Sequence, residues 1–258
     1  MSILKYVILG IIQGLTEFLP ISSSGHLVIF QRLLGFDTGQ LTLNVFLHFA
    51  TLIPVIIIFW DDIRDITLWK REKRYFTTLL IAGAFPTALI GFFLRDVFAV
   101  IYTSLYTTGF MLLITGLIIF LVEKIEVRKK NLTDFKYYNA FLVGIAQGLA
   151  ILPGISRSGS TVAASLFQGL KREDAARFSF VLSIPVITGA SLLEMREISV
   201  TGLNMEILLA TATGMLAAAL AGYLAIKYFL RVLKQKKLII FSYYCWFVGI
   251  LVLLVAGI

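Results

Sequence analysis

Apolar residues run through this chain in long blocks, and polar positions interrupt them in two kinds of place. Six blocks stand alone at about spanning length: Leu41 to Trp60, Phe76 to Leu94, Leu105 to Val122, Phe178 to Leu193, Ile207 to Ile226 and Leu238 to Ile258. Four more come as two pairs, Ile3 to Leu19 with His26 to Leu34 and Tyr138 to Leu152 with Thr161 to Leu170, each pair joined by a short Ser/Gly-rich break. A helix needs roughly 17–25 apolar residues to cross a bilayer, and the second arm of each pair is far too short. The pattern predicts six transmembrane helices and two re-entrant helical hairpins, with the broken tips shielded from lipid, which tolerates no open backbone.

The breaks are copies of one another. A shift of 134 positions superimposes Gly10, Ile11, Gln13, Gly14, Leu15, Ile21, Ser22, Ser24 and Gly25 on Gly144, Ile145, Gln147, Gly148, Leu149, Ile155, Ser156, Ser158 and Gly159 without a gap. Pro54 and Pro185 match at an offset of 131 and are expected to kink the span behind each hairpin. The chain therefore reads as a single membrane domain over 1–258, with internal repeats of approximately 1–122 and 138–258. One hairpin and three spans per repeat give an odd number of crossings. The halves must then insert upside down, and the two hairpins should enter from opposite faces and converge near the midplane.

Composition agrees. The chain is 59% hydrophobic and only 15% charged, with a mean hydropathy of +0.90, so the fold class is an all-α polytopic membrane protein. The net charge of +8 is no nucleic-acid footprint, because the basic residues cluster between apolar runs. Of the 23 Lys and Arg, eighteen fall in the loops Asp61 to Tyr75, Glu123 to Tyr137, Lys171 to Arg177 and Lys227 to Lys237. The positive-inside rule puts those loops in the cytoplasm and both termini outside, in the cell membrane. The N-terminus, with Lys5 before an apolar stretch, lacks a small-x-small cleavage site and runs into the repeated motif, so it reads as mature protein. Cys245 is the single cysteine, so no internal disulfide forms, and its apolar run marks it as a core residue.

Chemistry enters where the two copies differ. Glu17, Ser23 and His26 in the first face Ile151, Arg157 and Ser160 in the second. A charge at the centre of a helix in lipid costs about 2.5–3.5 kcal/mol or more, so Glu17 and Arg157 should be paired or solvated. A salt bridge pinning the hairpins would account for the pair but not for the hydroxyls around it. The run Pro153 to Thr161 leads into a short helix whose free N–H groups, with Gly154, Ser156, Ser158 and Thr161, form a candidate phosphate cradle, and Arg157 adds a planar donor fork. The first break, with Ser22, Ser23, Ser24 and His26, repeats the construction. His26 is expected near Glu17, as nucleophile or as base for a serine or water. Gln13 lies one turn before Glu17, either toward a ligand or as a packing hydrogen bond, and His48, mid-span, reads as a packing residue.

QGLTEFLPISSSGH followed by PGISRSGST, in this order and hydropathy pattern, resembles the undecaprenyl-diphosphatase family, also called bacitracin-resistance proteins, over essentially the whole chain. The resemblance implies a membrane phosphatase that converts a polyprenyl diphosphate carrier lipid to the monophosphate, recycling it for cell-wall synthesis. Carried over by motif, Glu17, Ser23, His26 and Arg157 form the catalytic set. Gln13, Ser22, Ser24, Gly154, Ser156, Ser158 and Thr161 line the phosphate site. Many members carry a second glutamate where this chain has Gln13, which weighs against a cation held between two carboxylates. A divalent cation, Mg²⁺ or Ca²⁺, bridging Glu17 to the phosphates remains an expectation, and a homodimer is compatible with the sequence. Two rival readings fit the same residues: a transporter of an anionic polyprenyl lipid, since paired broken helices in inverted repeats are also transporter architecture, and a lipid-binding scaffold.

Overall fold

The computed structural model describes residues 3–36, 41–94, 104–125, 129–195 and 205–257. Among them the chain is helical, with one isolated bridge, Lys130 to Leu170, and no strand. The helices are α1 (Ile3–Phe18), α2 (Ser23–Leu33), α3 (Leu41–Ile58), α4 (Trp60–Thr67), α5 (Arg74–Phe93), α6 (Leu105–Glu123), α7 (Tyr137–Leu149), α8 (Arg157–Phe167), α9 (Arg172–Met195), α10 (Met205–Lys234) and α11 (Ile239–Ala256). Five of them, α5, α6, α9, α10 and α11, are long and apolar enough to cross a membrane. A sixth span is counted when α3 is taken with α4, into which it bends by 92°. Pro54 and Pro185 both lie inside continuous helices, α3 and α9.

Small residues decide which helices meet. Along α10 the inward stripe is Gly214, Ala218, Ala221, Gly222 and Ala225, while Leu216, Leu220 and Leu224 on the other side are each more than 60% exposed. That distribution, small inside and large outside, suits a lipid surround, where close backbone approach drives helix pairing. The consequence is a crossed exchange. A Cβ on Gly10 of α1 would lie 2.1 Å from the Gly214 carbonyl of α10, and one on Gly144 of α7 would lie 2.0 Å from the Gly83 carbonyl of α5. Gly10 and Gly144 are equivalent in the repeat, and Gly83 and Gly214 are separated by the same 131 positions as the two prolines. Each hairpin's first arm thus packs, in parallel, on a helix of the other half. Gly109 of α6 and Gly249 of α11 meet each other directly across an antiparallel pair.

Both short second helices return to the level at which their partners begin. Lys5 Nζ of α1 donates to the Leu34 carbonyl just past α2 at 2.6 Å, and Asn139 of α7 donates to Gln168, just past α8, at 2.6 Å. Phe18, at the tip of α1, lies against Gly222 near the middle of the 30-residue α10. It also packs edge-on against Phe180, which in turn meets Phe229 and Phe59. Phe18, Phe180 and Phe229 are buried and Phe59 partly so, and together they fix the end of α1, with Glu17 one residue back.

The four basic loops gather at one end of the molecule. Arg172 pairs with Glu123 at 2.9 Å, Tyr75 donates to the Phe135 carbonyl at 2.8 Å, Lys234 lies 3.1 Å from Glu173, and Asp62 accepts from both Lys73 and Arg177.

Candidate active site at the hairpin tips

The two breaks meet each other. Ser22, with φ 69°, stands at the N-cap of α2, and its Oγ accepts from Gly25 N at 3.2 Å and, across the interface, from Gly154 N at 3.1 Å. The φ of 69° is an uncommon conformation for a serine, held here because its hydroxyl joins both tips. Gly154 itself has φ 96°, and a Cβ there would strike the Thr108 carbonyl at 2.4 Å. Gly25 faces Gly154, and its repeat equivalent Gly159 faces Pro20, so the missing side chains allow the tips to touch reciprocally. Ser158 completes the seam by donating to the Leu19 carbonyl at 3.1 Å.

Glu17 and Arg157 meet across that seam. Arg157 Nη2 donates to Glu17 Oε1 at 2.5 Å, while Ser23 Oγ donates to Glu17 Oε2 at 2.6 Å and Gln13 Nε2 to the same oxygen at 2.9 Å. The Glu17 side chain is only 4% exposed, so its charge depends on these donors. Arg157 is the first residue of α8, whose N-cap Ser156 accepts from Gly159 N at 3.1 Å. Its Nη1 is buried without a partner, as is Gln13 Oε1. A buried donor left unpaired beside a helix N-terminus is a place for an anion.

Every expected site residue lies on or next to this seam, but not all face the pair. Ser22 and Ser24 are 3.2 Å apart, as are their equivalents Ser156 and Ser158. Ser156 N is further held by Thr115 Oγ1 at 3.1 Å, which donates to the Gly154 carbonyl. The Thr161 hydroxyl bonds backbone carbonyls of its own helix and Ser179, tying α8 to α9.

Histidine placement departs from the sequence expectation. His26 Nδ1 lies 2.8 Å from the Ser22 carbonyl, which only accepts, so Nδ1 carries the proton. Its Nε2 meets the Tyr244 hydroxyl of α11 at 2.8 Å, and the two rings lie nearly parallel. Neither ring hydrogen bond of His26 goes to Glu17. The histidine facing that carboxylate is His48 of α3, with Nε2 3.7 Å from Glu17 Oε2. Tyr244 and His48 are the partners that sequence reasoning missed. For His48 a signal existed, since Asn44, His48 and Thr51 form a polar ladder in an otherwise apolar helix.

Among the described residues the protein's own side chains form no cage for a resident cation. Glu17 is, among the described residues, the only carboxylate at the seam, both of its oxygens accept from protein donors, and an arginine stands against it. Among the described residues no three His, Cys, Asp or Glu side chains gather, so any cation here would need substrate oxygens to complete its shell.

The profile of the family described as "Bacitracin resistance protein BacA" matches residues 6–251. The chain belongs to this BacA family. The BacA assignment is reinforced by relatives aligned along its full length. The chain is 57% identical to the undecaprenyl-diphosphatase of Halothermothrix orenii, with 100% of both chains covered. It is 45% identical to that of Carboxydothermus hydrogenoformans, covering 100% of this chain and 99% of the relative. It is 41% identical to that of Alkaliphilus metalliredigens, covering 98% of each. BacA membership and the apolar helices together make this a multi-pass membrane protein.

Proposed function

We propose that this protein is an undecaprenyl-diphosphatase, releasing the terminal phosphate of undecaprenyl diphosphate to leave the monophosphate and inorganic phosphate. Membership of the BacA family and the names of its full-length relatives support this reading, and they do not favour the transporter alternative. The observation that carries it is the buried, unpartnered Nη1 of Arg157 beside the Glu17–Ser23 hydrogen bond.

In this reading Arg157 Nη1 and the first N–H groups of α8 receive the diphosphate and stabilise charge on the transferred phosphoryl group. Ser23 is the attacking hydroxyl, because its proton is already directed at Glu17. The Ser23 O–P bond forms as the bridging P–O bond breaks, the proton passes to Glu17, and the lipid monophosphate leaves. Water then releases phosphate from Ser23. His26, engaged on both nitrogens at rest, enters only after Tyr244 lets go of Nε2. No step is routed through a metal.

The topology follows the same reading. The two hairpins are re-entrant and belong to inverted repeats, with the four basic loops in the cytoplasm and both termini outside. The return of α2 and α8 to their starting levels and the crossed glycine contacts support this arrangement.

Purified protein in detergent given undecaprenyl diphosphate should yield one phosphate per lipid and the monophosphate by mass spectrometry. Ser23→Ala should abolish release, and a phosphoserine at 23 should be trapped on rapid quenching. An active Ser23→Ala variant would remove serine as nucleophile.

A further inference from the structure

His48 is oriented by its own helix. Its Nδ1 lies 2.8 Å from the Asn44 carbonyl, so that nitrogen is the donor and the ring presents Nε2 outward to Glu17 Oε2, 3.7 Å away. Asn44 is in turn fixed from α2, where Gln31 Nε2 donates to its Oδ1 at 2.6 Å. Glu17 is therefore approached from four helices: Gln13 on α1, Ser23 on α2, His48 on α3 and Arg157 on α8. Of these, Gln13 and Ser23 are neutral, and Arg157 has its second arm directed elsewhere.

That division of labour creates a need. A diphosphate drawn to Arg157 Nη1 brings negative charge beside a buried carboxylate. The guanidinium must then serve both anions, and a carboxylate left short of donors would turn away from Ser23. His48 is placed to prevent this. Its Nε2 is beyond hydrogen-bond length but within ion-pair range; with Nδ1–H spent on Asn44, only the imidazolium, carrying a second proton on Nε2, donates to the carboxylate, and a small shift of either side chain then closes the gap.

We propose that His48 is a positioning residue of the site: from α3 it holds the Glu17 carboxylate toward Ser23 while Arg157 engages the diphosphate. It does not touch substrate. This inference rests on the diphosphatase reading.

The test compares purified wild type, His48→Leu and His48→Gln for phosphate release from undecaprenyl diphosphate, with folding checked by thermal melting of tryptophan fluorescence. His48→Leu fills similar space without a donor and should lower kcat by about 10- to 100-fold with KM within about threefold, as loss of an orienting partner does. His48→Gln presents an N–H from the same face and should recover to within about fivefold of wild type. Wild-type turnover by His48→Leu, equal loss in both variants, or a loss confined to KM would overturn the proposal. Should His48→Leu fail to fold, the contrast between His48→Ala and His48→Gln decides by the same criteria. Absence of phosphate release by wild type is a separate result, which removes the diphosphatase reading and this inference with it.

Discussion

Arg157 at the start of α8 donates to Glu17 at the end of α1, so a buried ion pair joins residues 140 positions apart on the two hairpin tips. Neither residue is stable there alone, since a buried charge without its partner is costly. The pair therefore forms only when both tips reach the seam, and folding and assembly of the site are one event.

That convergence depends on crossed glycine contacts, which gives a stability prediction. Gly144→Leu places a side chain where even a Cβ meets the Gly83 carbonyl, and it should lower stability by about 1–3 kcal/mol or more, with loss of activity. Gly189 has nothing within 4 Å of its Cβ position and lies inside α9, so Gly189→Ala should be neutral or stabilising by up to about 1 kcal/mol. Thermal melting in detergent checks both; equal effects would contradict the packing described.

How much of this was legible in the sequence depends on the kind of contact. The repeat, the broken helices and the Glu17–Arg157 pairing were readable, because polar residues in an apolar run stand out and a fixed offset aligns them. The crossed choice of partner was not. Gly10 and Gly144 announce close approach, but several helices carry small-residue stripes, and spacing does not say whether Gly10 meets Gly83 or Gly214. His26 and His48 were assigned by neighbourhood in sequence, which placed His26 near Glu17. In the fold α3 also brings His48 to that carboxylate, while α11 brings Tyr244 to His26 from 218 positions away.

The Tyr244 contact yields its own prediction. His26 is 3% exposed and Tyr244 caps its unprotonated Nε2. Tyr244→Ala uncovers that nitrogen, so diethyl pyrocarbonate should modify His26 several-fold faster than in wild type, while the rate at His48 stays unchanged. Peptide mass mapping separates the two sites. An unchanged rate at His26 would show that the tyrosine does not shield it.

Acid sensitivity should trace in part to Asp62, which lies in α4, the short polar helix that turns away from α3 at the basic end. Burial pushes its carboxyl up, but hydrogen bonds from Arg177 and Lys73, with their charges, outweigh this and hold it below the usual carboxylate range. With the folded value depressed, the stabilisation is present above the unfolded carboxylate value of about 4 and is lost as pH falls through the lower folded value. Asp62→Asn should melt earlier than wild type near neutrality, and the difference should shrink as pH drops below about 4. A difference that stays constant with pH would assign the effect to packing.

The account stands most directly on phosphate release from undecaprenyl diphosphate by purified wild type and Arg157→Lys, which keeps the charge but loses the fork that serves Glu17 and the diphosphate together. Wild type should turn over, and Arg157→Lys should fall in kcat by roughly 10²–10³-fold. A lysine variant that matches wild type, or a wild type that releases no phosphate, would contradict the site described.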